Sequence, residues 1–313
     1  MRTLVIGGSG FLGSRLRLPL NTLCAVSKKH EGFTEYIYPN GIHYTYHNKK
    51  LFENQIPLDL TKISSIKECL AKTKPDVIFY CGGLTDTDFC EANPDLATKV
   101  NVSGTKSLLE EFSGKLIYFS TDYVFDGENA PYNEKSQPNP INHYGKTKLF
   151  AEKMVLVKSQ NLVVRVAGLY GFNSSNNRFL DRLRNQRVVE ASSRLYSTPT
   201  YLEDIVEAIP DFMNMSGLLH FTGEQSFSRY EFLKKVVKCL GLDTEILPLE
   251  SDITGTFKRP KNSSLVSNTN KLKKTPVDDA LKEIQDNMKR ENAYLKEFYN
   301  KIRRELIQKH KTI

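Results

Sequence analysis

The chain of 313 residues contains no tryptophan, so no indole face is available to stack on a ring-shaped ligand. Its five cysteines (Cys24, Cys69, Cys81, Cys90 and Cys239) are scattered and form no C-x-x-C pair. Neither a zinc site nor a disulfide framework is expected, and a reducing cytoplasm is the simplest compartment. The six histidines (His30, His43, His47, His143, His220 and His310) lack the spacing of metal ligands. No run of about 18 apolar residues is present, so no membrane span is expected. The opening MRTLVIGGSGFLG does not read as a secretory signal, because its apolar run stops at once in glycine. No fixed-period repeat or low-complexity tract is visible.

What remains is enough to build a core. Hydrophobic residues make up 39% and charged residues 26%, which excludes a largely disordered chain. The length suits one large α/β domain or two unequal ones. The net charge of +8 points to an anionic partner, but it is unevenly placed. From Lys271 onward 12 basic residues face 7 acidic ones, a surplus of +5, which leaves only +3 for the first 270 residues. Phosphorylated small molecules then suffice as anionic partners for the body of the chain.

Strand-like and helix-like patterns alternate in the first half. Thr3–Ile6, Thr22–Val26, Val77–Tyr80, Leu116–Phe119 and Leu162–Val166 read as strands, and Ser64–Ala71, Asp95–Phe112 and Tyr144–Val157 as helices. This rhythm predicts a Rossmann-type doubly wound parallel sheet with a smaller C-terminal substrate domain. The expected division is a dinucleotide-binding part over 1–170, joined again by a strand near 217–222, a mainly substrate-binding part over 171–270, and a basic helical tail over 271–313. In the tail Val277, Leu281, Ile284, Met288, Leu295, Phe298, Ile302 and Leu306 form one apolar stripe. The stripe needs a surface to cover, in this chain, in a second copy or in another protein. Because the tail aromatics Tyr294, Phe298 and Tyr299 include members of the stripe, nucleic acid is a poor candidate partner.

Three constellations carry chemistry. Gly7-Gly8-Ser9-Gly10-Phe11-Leu12-Gly13 follows the first strand and opens a helix, the context in which glycines let a pyrophosphate approach the backbone. Ser27-Lys28-Lys29 after the expected second strand suits a ribose 2′-phosphate and favours NADPH, while nearby Glu31 leaves NADH open; Asp59 and Leu60 suit the adenine pocket. Tyr144 and Lys148 stand one helical turn apart and share a face. A tyrosine can protonate the oxygen of a reduced carbonyl if its pKa falls from about 10, which an adjacent ammonium favours. A strand-end hydroxyl, Thr121 or Ser120, can hold that oxygen.

The glycine motif, the Tyr144/Lys148 pair and the length resemble the extended short-chain dehydrogenase/reductases. Ser120-Thr121-Asp122-Tyr123-Val124-Phe125-Asp126-Gly127, Pro131-Tyr132 and Tyr144-Gly145-Lys146-Thr147-Lys148 are similar to one branch, the dTDP-4-dehydrorhamnose reductases and the related regulatory β subunit of methionine adenosyltransferase. Asn101, Arg165, Pro199-Thr200, Arg259-Pro260 and Asn262 match as well. The resemblance implies NADPH-dependent reduction of a 4-keto group on a nucleotide-activated 6-deoxysugar, or else a non-catalytic NADP-binding regulatory subunit. It implies that Gly10, Phe11 and Leu12 touch the pyrophosphate, that Cys81, Gly82 and Gly83 lie along the cofactor, and that Tyr144 and Lys148 are the acid and its partner. Thr121 and Asp122 would contact the sugar, and Arg259 a diphosphate. The reductases often carry a tryptophan where this chain has Gly168, so Tyr170 or Phe172 would have to supply the sugar platform.

Overall fold

Thr3–Ile6 (β1) is buried at every position. Its side chains alternate between two cores: Val5 packs on one face of the sheet, Leu4 and Ile6 on the other. A strand covered on both faces reads as a continuous apolar run and belongs to a parallel sheet. The computed structural model describes residues 1–16, 28–30, 33–35, 42–48, 50–51, 55–172, 178–250, 257–267 and 272–310, without the side chains of 28–30, 33–35, 178–179 and 294–310.

Six further strands join β1: Ile42–Tyr46 (β2), Gln55–Pro57 (β3), Val77–Tyr80 (β4), Lys115–Thr121 (β5), Leu162–Val166 (β6) and Gly217–His220 (β7). The order across the sheet is β7-β6-β5-β4-β1-β2-β3, and every pairing is parallel. The strand order reverses between β1 and β4, the switch point outside which ligands bind in such sheets. Helices Leu202–Glu207 and Ile209–Asn214 cover one face through Leu202, Ile205 and Phe212. Helices Ile63–Thr73, Gly104–Glu111 and His143–Val155 cover the other through Ile66, Leu108 and Val155.

One expectation is corrected here. The neighbour of β1 on the β2 side is Ile42–Tyr46, not Thr22–Val26, and residues 17–27, Ser27 among them, lie outside the described residues. Lys28–His30 instead pairs antiparallel with Phe33–Glu35, outside the seven-stranded sheet. β2 reads IHYTY, with no aliphatic run to announce a buried strand. The helix expected over Asp95–Phe112 is present as a continuous run from Pro94 to Glu111, with a π-helical turn at Lys99–Ser103.

Beyond residue 170 a third core gathers Tyr170, Leu180, Leu183, Val189, Phe232 and Val236. It contains two short sheets, Val188–Ser192 with Glu245–Leu249 and Tyr196–Ser197 with Phe227–Ser228. The Val277–His310 helix lays Val277, Leu281, Ile284 and Met288 on this core, so the first half of the apolar stripe is covered within the same chain. Leu281 is fully buried, whereas the Lys282 side chain is 78% exposed. Leu281→Ala should lower unfolding free energy by roughly 2–5 kcal/mol and Lys282→Ala by no more than about 0.5 kcal/mol in urea titrations. Equal effects would mean that the helix does not dock through this stripe.

Candidate active site

The turn after β1 closes by a Gly10 N–H to Gly7 carbonyl bond of 2.9 Å. Gly7 has φ of +80°, and a Cβ on Gly13 would stand 2.2 Å from the Gly7 carbonyl oxygen. No side chain fits at either position. Across the switch point Gly82 follows β4, and a Cβ there would come within 2.9 Å of Ile6. These close approaches shape one wall of a cleft of about 610 Å³ at the carboxyl ends of the strands. Gly10, Phe11, Leu12, Cys81, Gly82 and Gly83 line it together with Thr121, Asp122, Tyr144, Lys148 and Arg259.

The His143–Val155 helix brings up Tyr144 and Lys148. Asn142 caps it by accepting from the Gly145 N–H at 2.8 Å, and Gly145 passes so close to the Tyr123 carbonyl that a Cβ would meet it at 2.0 Å. Glu152 on this helix takes a multidentate bond from Arg165 of β6, at 2.6 Å from Nη2. Arg165 thus matches a structural need and lies beneath the cleft. Asn101, in the π-helical turn, donates to Thr147 on the same helix at 3.0 Å and clasps Leu84 through both its amide groups. His143 is half-buried and bonds Thr98 and the Pro94 carbonyl, each at 3.0 Å, rather than being a solvated loop residue.

The reading in which Lys148 lowers the Tyr144 pKa is corrected by burial. Tyr144 is only 9% exposed, and desolvation pushes its phenol well above the ordinary value; a hydrogen bond with the Thr121 side chain offsets part of this. Lys148 is drawn down to about 7, chiefly by burial, with Glu152 and Cys81 opposing. Its ammonium donates to the Phe119 carbonyl at 2.8 Å and lies 4.0 Å from the centre of the Tyr118 ring. Burial likewise pushes the Cys81 thiol up, which suits a wall and not a nucleophile. Asp122 is raised to about 6 by burial, against hydrogen bonds from Ser263 and from Thr121 (3.0 Å).

Other expected residues are placed elsewhere. Asp59 and Leu60 do not line the cleft; Asp59 accepts from Thr61 and pairs with Lys62, and these bonds hold its carboxyl at about 2. Tyr170 and Phe172 pack into the third core, Tyr170 fully buried, so neither replaces the missing tryptophan. The aromatic that lines the cleft from this side is Tyr196, 37% exposed.

Sequence reasoning missed Asp88, Tyr123, Tyr196, Arg229 and Ser263, all of which line the cleft. Arg229 was findable: Ser228 and Glu231 form a capping box, which starts the helix at Arg229.

A parallel sheet with a glycine turn at its switch point, and a Tyr144–Lys148 helix over the strand ends, defines a Rossmann-type dehydrogenase/reductase scaffold. The RmlD substrate binding domain family matches residues 1–291, and the chain belongs to that family. Over 226 residues it is 31% identical to methionine adenosyltransferase 2 subunit beta of Xenopus tropicalis, covering 66% of this chain and 68% of that one. Over 220 residues it is 32% identical to a dTDP-4-keto-6-deoxy-D-glucose reductase of Streptomyces niveus, covering 66% and 76%. The structure is similar to that of a dTDP-4-dehydrorhamnose reductase of Bacillus anthracis in complex with NADP, with a TM-score of 0.74, 27% identity, and 90% and 98% of the two chains covered.

The Asp122 carboxyl has an ordinary value of 3.8, so the fold favours its protonated form. Its contribution therefore supports the folded chain fully below about pH 4 and is lost as pH rises from about 4 to 6. Asp122→Asn, neutral throughout, should gain on the parent by on the order of 3 kcal/mol across that window in urea titrations. A difference that does not change with pH would show that Asp122 ionises as it does in the unfolded chain.

Proposed function

We propose that the protein is an NADPH-dependent reductase of a nucleotide-activated 4-keto-6-deoxysugar. The observation that carries this reading is the meeting, in one cleft, of a tyrosine that keeps its proton with a hydroxyl and a lysine, beside a glycine turn. The residues fit a dinucleotide: the wall around Gly7, Gly13 and Gly82 leaves no room for side chains, and the buried Ser120 hydroxyl in the same cleft has no partner among the described residues. Gly10, Phe11, Leu12, Cys81, Gly82, Gly83 and Lys148 would hold it. When bound, the dihydronicotinamide supplies hydride to the substrate carbon.

The chain's own groups do the rest. Tyr144 holds its proton across the neutral range and releases it to the carbonyl oxygen only as charge develops there. Thr121 donates its own proton to Asp122, so its oxygen is left to accept from Tyr144 and it orients the phenol, not the carbonyl oxygen. A raised phenol pKa keeps the proton on Tyr144 before reduction but makes it a weaker acid, so the charge developing on the carbonyl oxygen has to draw that proton off. Tyr196 is the aromatic available as a platform for the sugar.

The second reading is a non-catalytic NADP-binding regulatory subunit. The match to methionine adenosyltransferase 2 subunit beta favours it, as does the Lys148 ammonium bonded to Phe119 and not to Tyr144. The discriminating experiment is a screen of nucleotide 4-ketosugars for NADPH oxidation. Under the first reading turnover is seen, and Tyr144→Phe loses it by a factor of about 10² or more with cofactor affinity retained. Cofactor binding with no sugar-dependent oxidation would select the second.

The strand leading to the adenosine ribose is β2, so recognition of a 2′-phosphate moves from Lys28 and Lys29 to the exposed residues past its end, His47, Asn48 and Lys50. Lys50→Asp should reduce the preference for NADPH over NADH, and Lys28→Asp should leave it nearly unchanged, both read from the two dissociation constants. The reverse ranking would return the role to Lys28.

A further inference from the structure

At the rim of the cleft a carboxylate from one half of the chain is held by a guanidinium from the other. Arg259 Nη2 donates to Asp88 Oδ2 at 3.1 Å, joining residues 171 positions apart. Both line the cleft; the Arg259 side chain is 11% exposed and that of Asp88 is 37% exposed. Arg259 also donates to the Phe257 carbonyl and to the Tyr123 hydroxyl, which fixes its head group in the wall. Arg229, from the capped helix, lines the same cleft and acts electrostatically on Tyr123 and Asp122. Two guanidinium groups therefore bear on one region around Tyr123.

Asp88 is an incomplete partner for that region. Its second oxygen, Oδ1, is buried with no hydrogen-bond donor among the described residues. A half-satisfied buried carboxylate oxygen is unfavourable. A diphosphate, with more oxygens and more charge, engages guanidinium forks better than one carboxylate oxygen does. Asp88 sits at the second position of the short Thr87–Ala92 helix, on a segment anchored by Asn101 at Leu84. Releasing Arg259 therefore requires breaking one ion pair, with no refolding of the rim.

We propose that Asp88 is a charge gate. It occupies Arg259 until the diphosphate of an incoming nucleotide displaces it, so that this end of the cleft opens to a strongly anionic ligand and not to a neutral one. Asp88 then sets specificity by competition: every diphosphate must outbid it, and a bare nucleoside gains nothing from Arg259. The proposal rests on the nucleotide-sugar reading above, and its test needs no turnover.

The test is calorimetric binding of dTDP and of thymidine to the full chain and to Asp88→Asn, Arg259→Gln and the double variant, with Asp88→Ala as a second replacement. Asp88→Asn should bind dTDP about two- to fivefold more tightly, the span set by a partly exposed ion pair, with thymidine unchanged. Arg259→Gln should weaken dTDP about tenfold or more, and on that background Asp88→Asn should add nothing. An unchanged or weaker affinity for dTDP in both Asp88 variants would overturn the gate, as would equal tightening of dTDP and thymidine. If neither the parent nor any variant binds dTDP, the gate and the nucleotide-diphosphate ligand fall together, an outcome distinct from binding that ignores Asp88.

Discussion

The buried pair between Arg165 and Glu152 is the constraint on which the site depends. Both side chains are nearly inaccessible, and three hydrogen bonds link them. Arg165 also reaches His220 at 3.3 Å and lies over the Phe125 ring, which stacks on Tyr132 at 4.1 Å. One ion pair thus joins the Tyr144–Lys148 helix to β6, to β7 and to the segment that follows Thr121. Such a pair adds little net stability over an apolar core, but breaking it by removing one partner typically costs about 3–5 kcal/mol. Its bonds tie the helix to β6. His220 is driven down to about 4 by burial and by the Arg165 charge, so it adds no second cation there.

On that frame the electrostatics of the cleft follow from burial more than from pairing. Tyr144, Asp122 and Cys81 are each pushed toward the protonated state, and Lys148 toward the neutral one. A site biased against charge on all four groups is prepared to receive charge from a ligand. Two guanidinium groups, Arg229 and Arg259, line the same cleft.

The parts of the fold readable from sequence are those built on uninterrupted aliphatic runs and glycine turns: β1, β4, β6 and the Gly7–Gly13 turn. Tyr144, Lys148 and Thr121 were readable because local spacing on one helix or one strand end determines where they point, Asp122 and Arg259 only through the family resemblance, and all five line the cleft. β2 was hidden because its side chains alternate histidine, tyrosine and threonine. The expectation of a ribose corner at Lys28 rested on Thr22–Val26 being the neighbour of β1, a place that Ile42–Tyr46 takes. Asp88 and Ser263 were invisible for another reason: each matters through a partner more than a hundred residues away, and no local pattern encodes such a contact. The direction of the Tyr144 shift was misjudged because a helical turn predicts proximity to an ammonium but says nothing of desolvation.

The arrival of β7 at the sheet carries a consequence for synthesis of the chain. β6 pairs with β5 on one side and with β7 on the other. β7 leaves the ribosome some fifty residues after β6, once the segment carrying Val188–Ser192 and Leu202–Glu207 has already emerged. During that interval a nascent chain presents the apolar edge LVVRV with its backbone groups unpaired, the kind of template on which neighbouring chains add strands. The glycine turn and the His143–Val155 helix are complete by then, yet they rest on an open sheet. A chain that stopped in this stretch would leave the β6 edge open, so the sheet under the glycine turn is closed only when β7 arrives.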